Sequence, residues 1–123
     1  MSERKLRTFM NDKMKYYSQR FEGYEPMSCL NDYDINNTLI FENDILYKEN
    51  KGYFVIKKGS YNYRNYNLRG WYIEFYDSPG NKKTINPFYK ELLENSKIIG
   101  NTKENKKLYN KIKNGGDINH TFG

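Results

Sequence analysis

The sequence predicts a mainly β or α+β fold, specifically a small mixed β-barrel of about six short strands with two short helices. Three observations lead there. Apolar residues come in runs of three to six, bounded by Asn, Asp, Gly and Pro, which is the pattern of short strands and turns. Rings supply much of the apolar content, with 13 Tyr, 7 Phe and 1 Trp, and aromatic residues favour a pleated surface. Helical spacing appears in only two short stretches near the C-terminus, too few for alternating βαβ units.

The first strand is Lys5 to Met10, where polar and apolar residues alternate at the outset. Asn11-Asp12-Lys13 marks a turn, and Met14 to Ser18 reads as its return strand. Residues 19–38 are polar and acidic and read mostly as loop. Leu39-Ile40-Phe41 is a short strand, Glu42-Asn43-Asp44 a tight structural turn, and Ile45-Leu46-Tyr47 the strand after it. Asn50-Lys51-Gly52 turns the chain into Tyr53 to Lys57. Residues 58–70 read as a polar loop. Trp71 to Tyr76 is the clearest strand, closed by Asp77-Ser78-Pro79-Gly80-Asn81. Asn86-Pro87 resembles a helix start, with Asn86 as N-cap and Pro87 in the first helical position. Lys97-Ile98-Ile99 is a short strand. Lys106 to Lys113 is the last helix, with Leu108, Tyr109 and Ile112 at helical spacing and Gly115-Gly116 stopping it. The expectation is one domain over residues 1–113 and a flexible tail over 114–123.

Charge is unevenly distributed. The formal net charge is +6, yet residues 21–50 hold seven acids against the single cation Lys48, while the flanking segments are strongly basic. This division suggests a polyanion-facing surface beside an acidic one, or a solvated lysine-rich exterior. The lone Cys29 cannot form an internal disulfide and implies a reducing compartment. No apolar run approaches the roughly 18 residues needed to span a bilayer, and the N-terminus lacks a leader pattern, so a cytoplasmic protein without membrane contact is expected.

Three stretches resemble the YopX family of phage and prophage proteins, in the family's order. Arg7-Thr8-Phe9 with Lys13 to Tyr17 resembles its opening hairpin. Leu39-Ile40-Phe41-Glu42-Asn43-Asp44-Ile45-Leu46 is similar to its E-I-Y-E-G-D-I-V segment, the most specific of the three. Lys97-Ile98-Ile99-Gly100-Asn101 with Glu104-Asn105 is similar to its V-I-G-N-x-x-E-N-P-E-L-L ending. Gly70 to Phe75 also resembles its G-F-Y-I-E strand. The likeness spans residues 4 to 112. It departs at Asn43, where the family has Gly, at Lys106, where it often has Pro, and in a longer connection before Leu39. The resemblance implies a mixed β-barrel and a phage origin, and it brings no known reaction or catalytic residue.

Candidate chemistry is sparse. His120 is the only histidine and stands in the expected tail; Cys29 has no histidine nearby in sequence and reads as a buried structural residue. Phosphate loops, dinucleotide fingerprints and zinc spacings are missing. Glu42 and Asp44 could form a metal or acid/base pair if they shared a strand face; shaping the turn is the competing reading. No catalytic residue, metal or cofactor is therefore expected, and the protein is read as a binder rather than an enzyme.

Two stretches could bind. Tyr61, Tyr63, Arg64, Tyr66 and Arg69 lie in a segment that mixes rings, amides and forked cations, the chemistry of antibody recognition loops and of nucleic-acid contacts. The same tyrosines could instead pack on neighbouring strands of an exposed hairpin. Lys103, Lys106, Lys107 and Lys111 form a secondary basic face that could meet phosphates, or be simply solvated. The leading expectation is a phage-encoded inhibitor of a host or defence protein, its acidic 21–50 segment mimicking nucleic acid. The alternatives are a small DNA- or RNA-binding module and an oligomeric structural protein.

Overall fold

The computed structural model describes residues 5–10, 12–17, 26–76 and 83–114. These form nine strands, one 3-10 turn and one α-helix: β1 (Leu6–Met10), β2 (Lys13–Tyr17), β3 (Met27–Tyr33), β4 (Leu39–Phe41), β5 (Asp44–Lys48), β6 (Gly52–Tyr63), β7 (Tyr66–Tyr76), β8 (Lys83–Pro87), the 3-10 turn Lys90–Leu93, β9 (Ser96–Asn101) and α1 (Lys106–Asn114).

The strands make two antiparallel sheets, ordered β2-β1-β3-β4 and β8-β7-β6-β5-β9. The fold is mainly β, as expected; the larger sheet curls into half a barrel, and the expected small barrel of about six short strands does not close among the described residues. A register shift between Ile45 and Leu46 in the β5–β9 pair contributes to that curl, since an irregular ladder bends and twists a strand.

Both faces of the larger sheet are covered. On one face Leu46, Phe54, Ile56, Ile73 and Phe75 pack with Leu30 of β3, Ile40 of β4 and Leu92 of the 3-10 turn. On the other, Ile45, Val55 and Tyr76 pack under Leu108 and Ile112 of α1. Double coverage explains why Ile45-Leu46 and Phe54-Val55-Ile56 are unbroken apolar runs rather than alternating ones. The helix lies where helical spacing placed it, and the same two residues face inward.

Three expectations need correction. Part of the expected 19–38 loop is β3: Met27, Cys29 and Leu30 are buried, and tertiary burial outweighs the polar local composition. Asn31, with φ +65°, lies where the β3–β4 register shifts between Cys29 and Tyr33, and this obscures the period-two pattern. The expected 58–70 loop is a hairpin arm, described below. Asn86-Pro87 does not begin a helix but ends edge strand β8, where proline's missing N–H is tolerated; only a 3-10 turn follows. The Asp77–Asn81 turn, the residues beyond Asn114 and His120 lie outside the described residues.

Candidate nucleic-acid interface

Strands β6 and β7 pair continuously from Tyr53↔Tyr76 to Tyr63↔Tyr66. Their neighbours stop earlier: β5 pairs with β6 only up to Val55, and β8 with β7 only from Tyr72 onward. Residues 59–70 therefore form a two-stranded arm that runs past the sheet. It carries Tyr61, Tyr63, Arg64, Tyr66 and Arg69. Tyr61-Asn62-Tyr63 and Tyr66-Asn67-Leu68 alternate as strands do, in keeping with the exposed hairpin that the sequence offered as the other reading of this stretch.

Two features shape the arm. At its base Gly59 and Gly70 are direct cross-strand partners, with φ +139° and +141°. A Cβ on either would meet nothing within 4 Å, so the backbone conformation, not space, calls for glycine. At its tip Arg64 and Asn65 make a two-residue turn with φ +49° and +69°. Positive φ at both central positions is the type I′ requirement, which Asn and Gly meet easily and Arg does not.

The arm has two chemically different faces. On one, the Lys58 ammonium sits 5.2 Å from the centre of its partner Trp71 and bonds to Ser28 Oγ at 3.2 Å, and the Asn67 amide donates to Asn62 at 3.1 Å. Arg69, the partner of Ser60, stands exposed on this same face. On the other, Tyr61 and Tyr72 stack with ring centres 4.7 Å apart and planes 24° apart. The register places Tyr63, Tyr66 and Leu68 on that second face. Tyr66, at 69 % exposure, stands open at the tip, and Arg64 lies 5.1 Å over the Tyr63 ring.

The tyrosine face joins the side of the sheet that carries α1. Lys57, the partner of Tyr72, reaches to 5.7 Å from the Tyr109 ring, and Lys113 covers the same ring at 4.5 Å. Burial pushes the Lys57 ammonium below its usual range; Glu74 and Glu42 oppose this shift, and Lys103 and Lys83 add to it by repulsion. Lys103, Lys106, Lys107 and Lys111 are all exposed, the last three on α1. The tyrosine face of the arm therefore lies on the same side of the larger sheet as α1, joined to it through Lys57, Tyr72 and Tyr109. Sequence reasoning did not select those three as site residues. The signal was present in strand alternation, which puts Lys57, Tyr61 and Tyr63 on one face once β6 is recognised as continuous.

Glu42, Asn43 and Asp44 form a structural junction. Asn43 has φ +73°, and its N–H donates to Ile56 O at 2.6 Å. Glu42 Oε1 accepts from Ser28 N at 3.1 Å. Asp44 accepts from Phe41 N at 2.8 Å and pairs with Arg7 at 2.7 Å. The two carboxylates lie on either side of a turn rather than on one strand face, and each is committed to a different neighbour. A cleft of about 500 Å³ opens beside this junction, between Tyr16, Phe41, Ile98 and Glu104. Within its polar lining Asn101 donates to Glu104 at 2.9 Å, and Glu104 accepts from Met14 N at 3.3 Å.

Cys29 is buried, and its Sγ accepts from Asn31 N at 3.2 Å. Among the described residues no cluster of three or more His, Cys, Asp or Glu could hold a metal ion, and no helix is long and apolar enough to cross a membrane. Comparison with protein-family models, curated proteins and solved structures finds no match to this chain.

Proposed function

We propose that this is a non-enzymatic nucleic-acid-binding protein whose principal contact is the β6–β7 arm together with the lysines beside α1. The carrying observation is the composition of the projecting ribbon. Residues 57–71 include Lys57, Lys58, Arg64 and Arg69 and not one carboxylate, and their tyrosine face continues into a lysine-rich surface. Cations on an exposed ribbon meet phosphates, and rings beside them stack on bases. The strained turn at Arg64 adds support, because a residue that breaks a local rule at an exposed tip points to a role outside folding.

A second reading, docking on a host or defence protein, draws on the exposed Tyr66 between Asn65 and Asn67, which would suit a protein surface equally well. Its other argument weakens: of the acids meant to mimic nucleic acid, Asp34 and Asp44 are buried and serve as internal acceptors. The phage origin implied by the YopX resemblance rests on its motifs and suits either reading.

The test is binding of the purified chain to labelled mixed-sequence DNA and RNA at low and at physiological salt. Binding that weakens steeply with salt and drops in the Arg64→Ala/Arg69→Ala double variant supports the proposal. No binding at low salt overturns it and leaves the protein-docking reading.

A further inference from the structure

We infer that the nucleic acid this face takes is single-stranded, held by unpaired bases stacked against Tyr61, Tyr66 and Tyr72 with phosphates reaching Lys57 and Arg64. The inference rests on the nucleic-acid reading above and narrows it to one substrate class.

A ribbon can meet nucleic acid in two ways. It can enter the major groove of a duplex, where amides and guanidinium groups read base edges. Or it can offer ring faces to bases that have left the stack. The two faces of this arm separate these options. The groove-reading groups lie on the Asn62–Asn67 face, where the two amides are bonded to each other and Lys58 is held by Trp71 and Ser28, while Arg69 on the same face is exposed. The opposite face is a run of rings. Tyr61 and Tyr72 already stack nearly parallel, and Tyr66 stands 69 % exposed beyond them. Duplex bases hide their faces and would leave these rings against sugar and phosphate; single-stranded bases can occupy them.

The cations are arranged to match. Lys57 stands opposite Tyr72 in the register and reaches the Tyr109 ring, which Lys113 also covers. Arg64 sits at the tip over Tyr63. Charge therefore flanks the ring face at its base and its tip, where a backbone crossing the rings would enter and leave. Stacking is tolerant of base identity, so little sequence preference is expected.

The test compares labelled oligothymidine with a duplex of equal length by fluorescence anisotropy at low salt. Single-strand binding should exceed duplex binding about ten-fold or more. Tyr66→Leu and Tyr72→Leu should each weaken it several-fold to ten-fold or more, while Tyr66→Phe and Tyr72→Phe retain it, because the ring and not the hydroxyl does the stacking. Trp71 emission reports whether the base of the arm is intact, and Tyr66, exposed at the tip, can be altered without disturbing the core. Duplex binding equal to or tighter than single-strand binding, or Leu variants that bind like the parent, overturns the inference and leaves the nucleic-acid reading standing. Failure to bind either form removes both.

Discussion

The guanidinium of Arg7 lies 2.7 Å from the carboxylate of Asp44, and both side chains are almost fully buried. Arg7 belongs to β1 of the smaller sheet and Asp44 to β5 of the larger, so the pair joins the two sheets at their junction. The same Arg7 donates to Glu42 O at 2.8 Å and covers the Phe41 ring at 5.0 Å, while its Nε has no hydrogen-bond partner among the described residues. Breaking one half of such a pair leaves a buried charge alone, which costs about 3–5 kcal/mol, whereas replacing both halves with apolar residues can be neutral. Arg7→Met and Asp44→Leu should each be strongly destabilising in urea unfolding, and the double variant Arg7→Met/Asp44→Leu should recover most of the loss. Single variants within about 1 kcal/mol of the parent would show that the pair does not hold the sheets together.

Burial raises the Asp44 carboxyl to about 6, against the opposing pull of Arg7 and the Phe41 amide. Because the folded form holds its proton more tightly than the unfolded chain, this group favours the fold most below pH 4. That contribution is lost as pH rises through about 6. Asp44→Asn lacks the titration. The stability difference between parent and variant should therefore shrink as pH rises from about 4 to about 6. A difference that grows over this window would mean that Arg7, not desolvation, governs the group.

Glu74 is buried and accepts from two phenols, Tyr76 and Tyr109, each at 2.9 Å. Tyr109 belongs to α1, so this bond helps seat the helix on the sheet. Tyr109→Phe should cost about 1–2 kcal/mol, and Ile112→Ala, which opens a hole beneath the helix, about 2–5 kcal/mol. Burial also pushes the Tyr109 hydroxyl up to about 12, so the folded state keeps its proton where the unfolded chain does not. Thermal melts should decline between about pH 10 and pH 12, and less steeply in Tyr109→Phe.

Arg64 should be dispensable for folding and important for binding. Asn tolerates φ > 0 better than Arg, so Arg64→Asn should leave stability unchanged or raise it by up to about 1 kcal/mol while weakening nucleic-acid binding. Calorimetry and anisotropy on the same sample separate the two effects. A variant that loses stability and binding together would make the tip a folding element instead.

Gly59→Val and Gly70→Val place β-branched residues at φ near +140°, where only glycine is at ease. The arm should lose its pairing while the body stays folded. Hydrogen exchange of the amides in residues 60–69 should quicken, and those of Phe54 and Ile73 should keep their protection. Equal loss in both regions would mean that the arm is part of the core.

Much of the architecture is legible in the sequence. The opening hairpin, the Glu42-Asn43-Asp44 turn, the Asn50-Lys51-Gly52 turn, the apolar strands and α1 all carry local signals: positive-φ residues at turns, apolar runs where both sheet faces are covered, and Leu108 with Ile112 one helical turn apart. The YopX resemblance is a reading of motifs, and no comparison with known proteins extends it. Long-range relationships leave no such signal. β3 is a strand because Met27, Cys29 and Leu30 find a core built by distant residues, and Asn86-Pro87 ends a strand because β7 is there to pair with it. The arm exists because β6 and β7 continue pairing after their neighbours stop, a fact about register rather than composition. The sequence by itself singled out the tyrosines, arginines and lysines of two separate stretches as candidates. Only the tertiary structure decided that the rings of the arm and α1 lie on the same side of the larger sheet, because strand alternation and the docking of α1 act across distances that no local pattern spans.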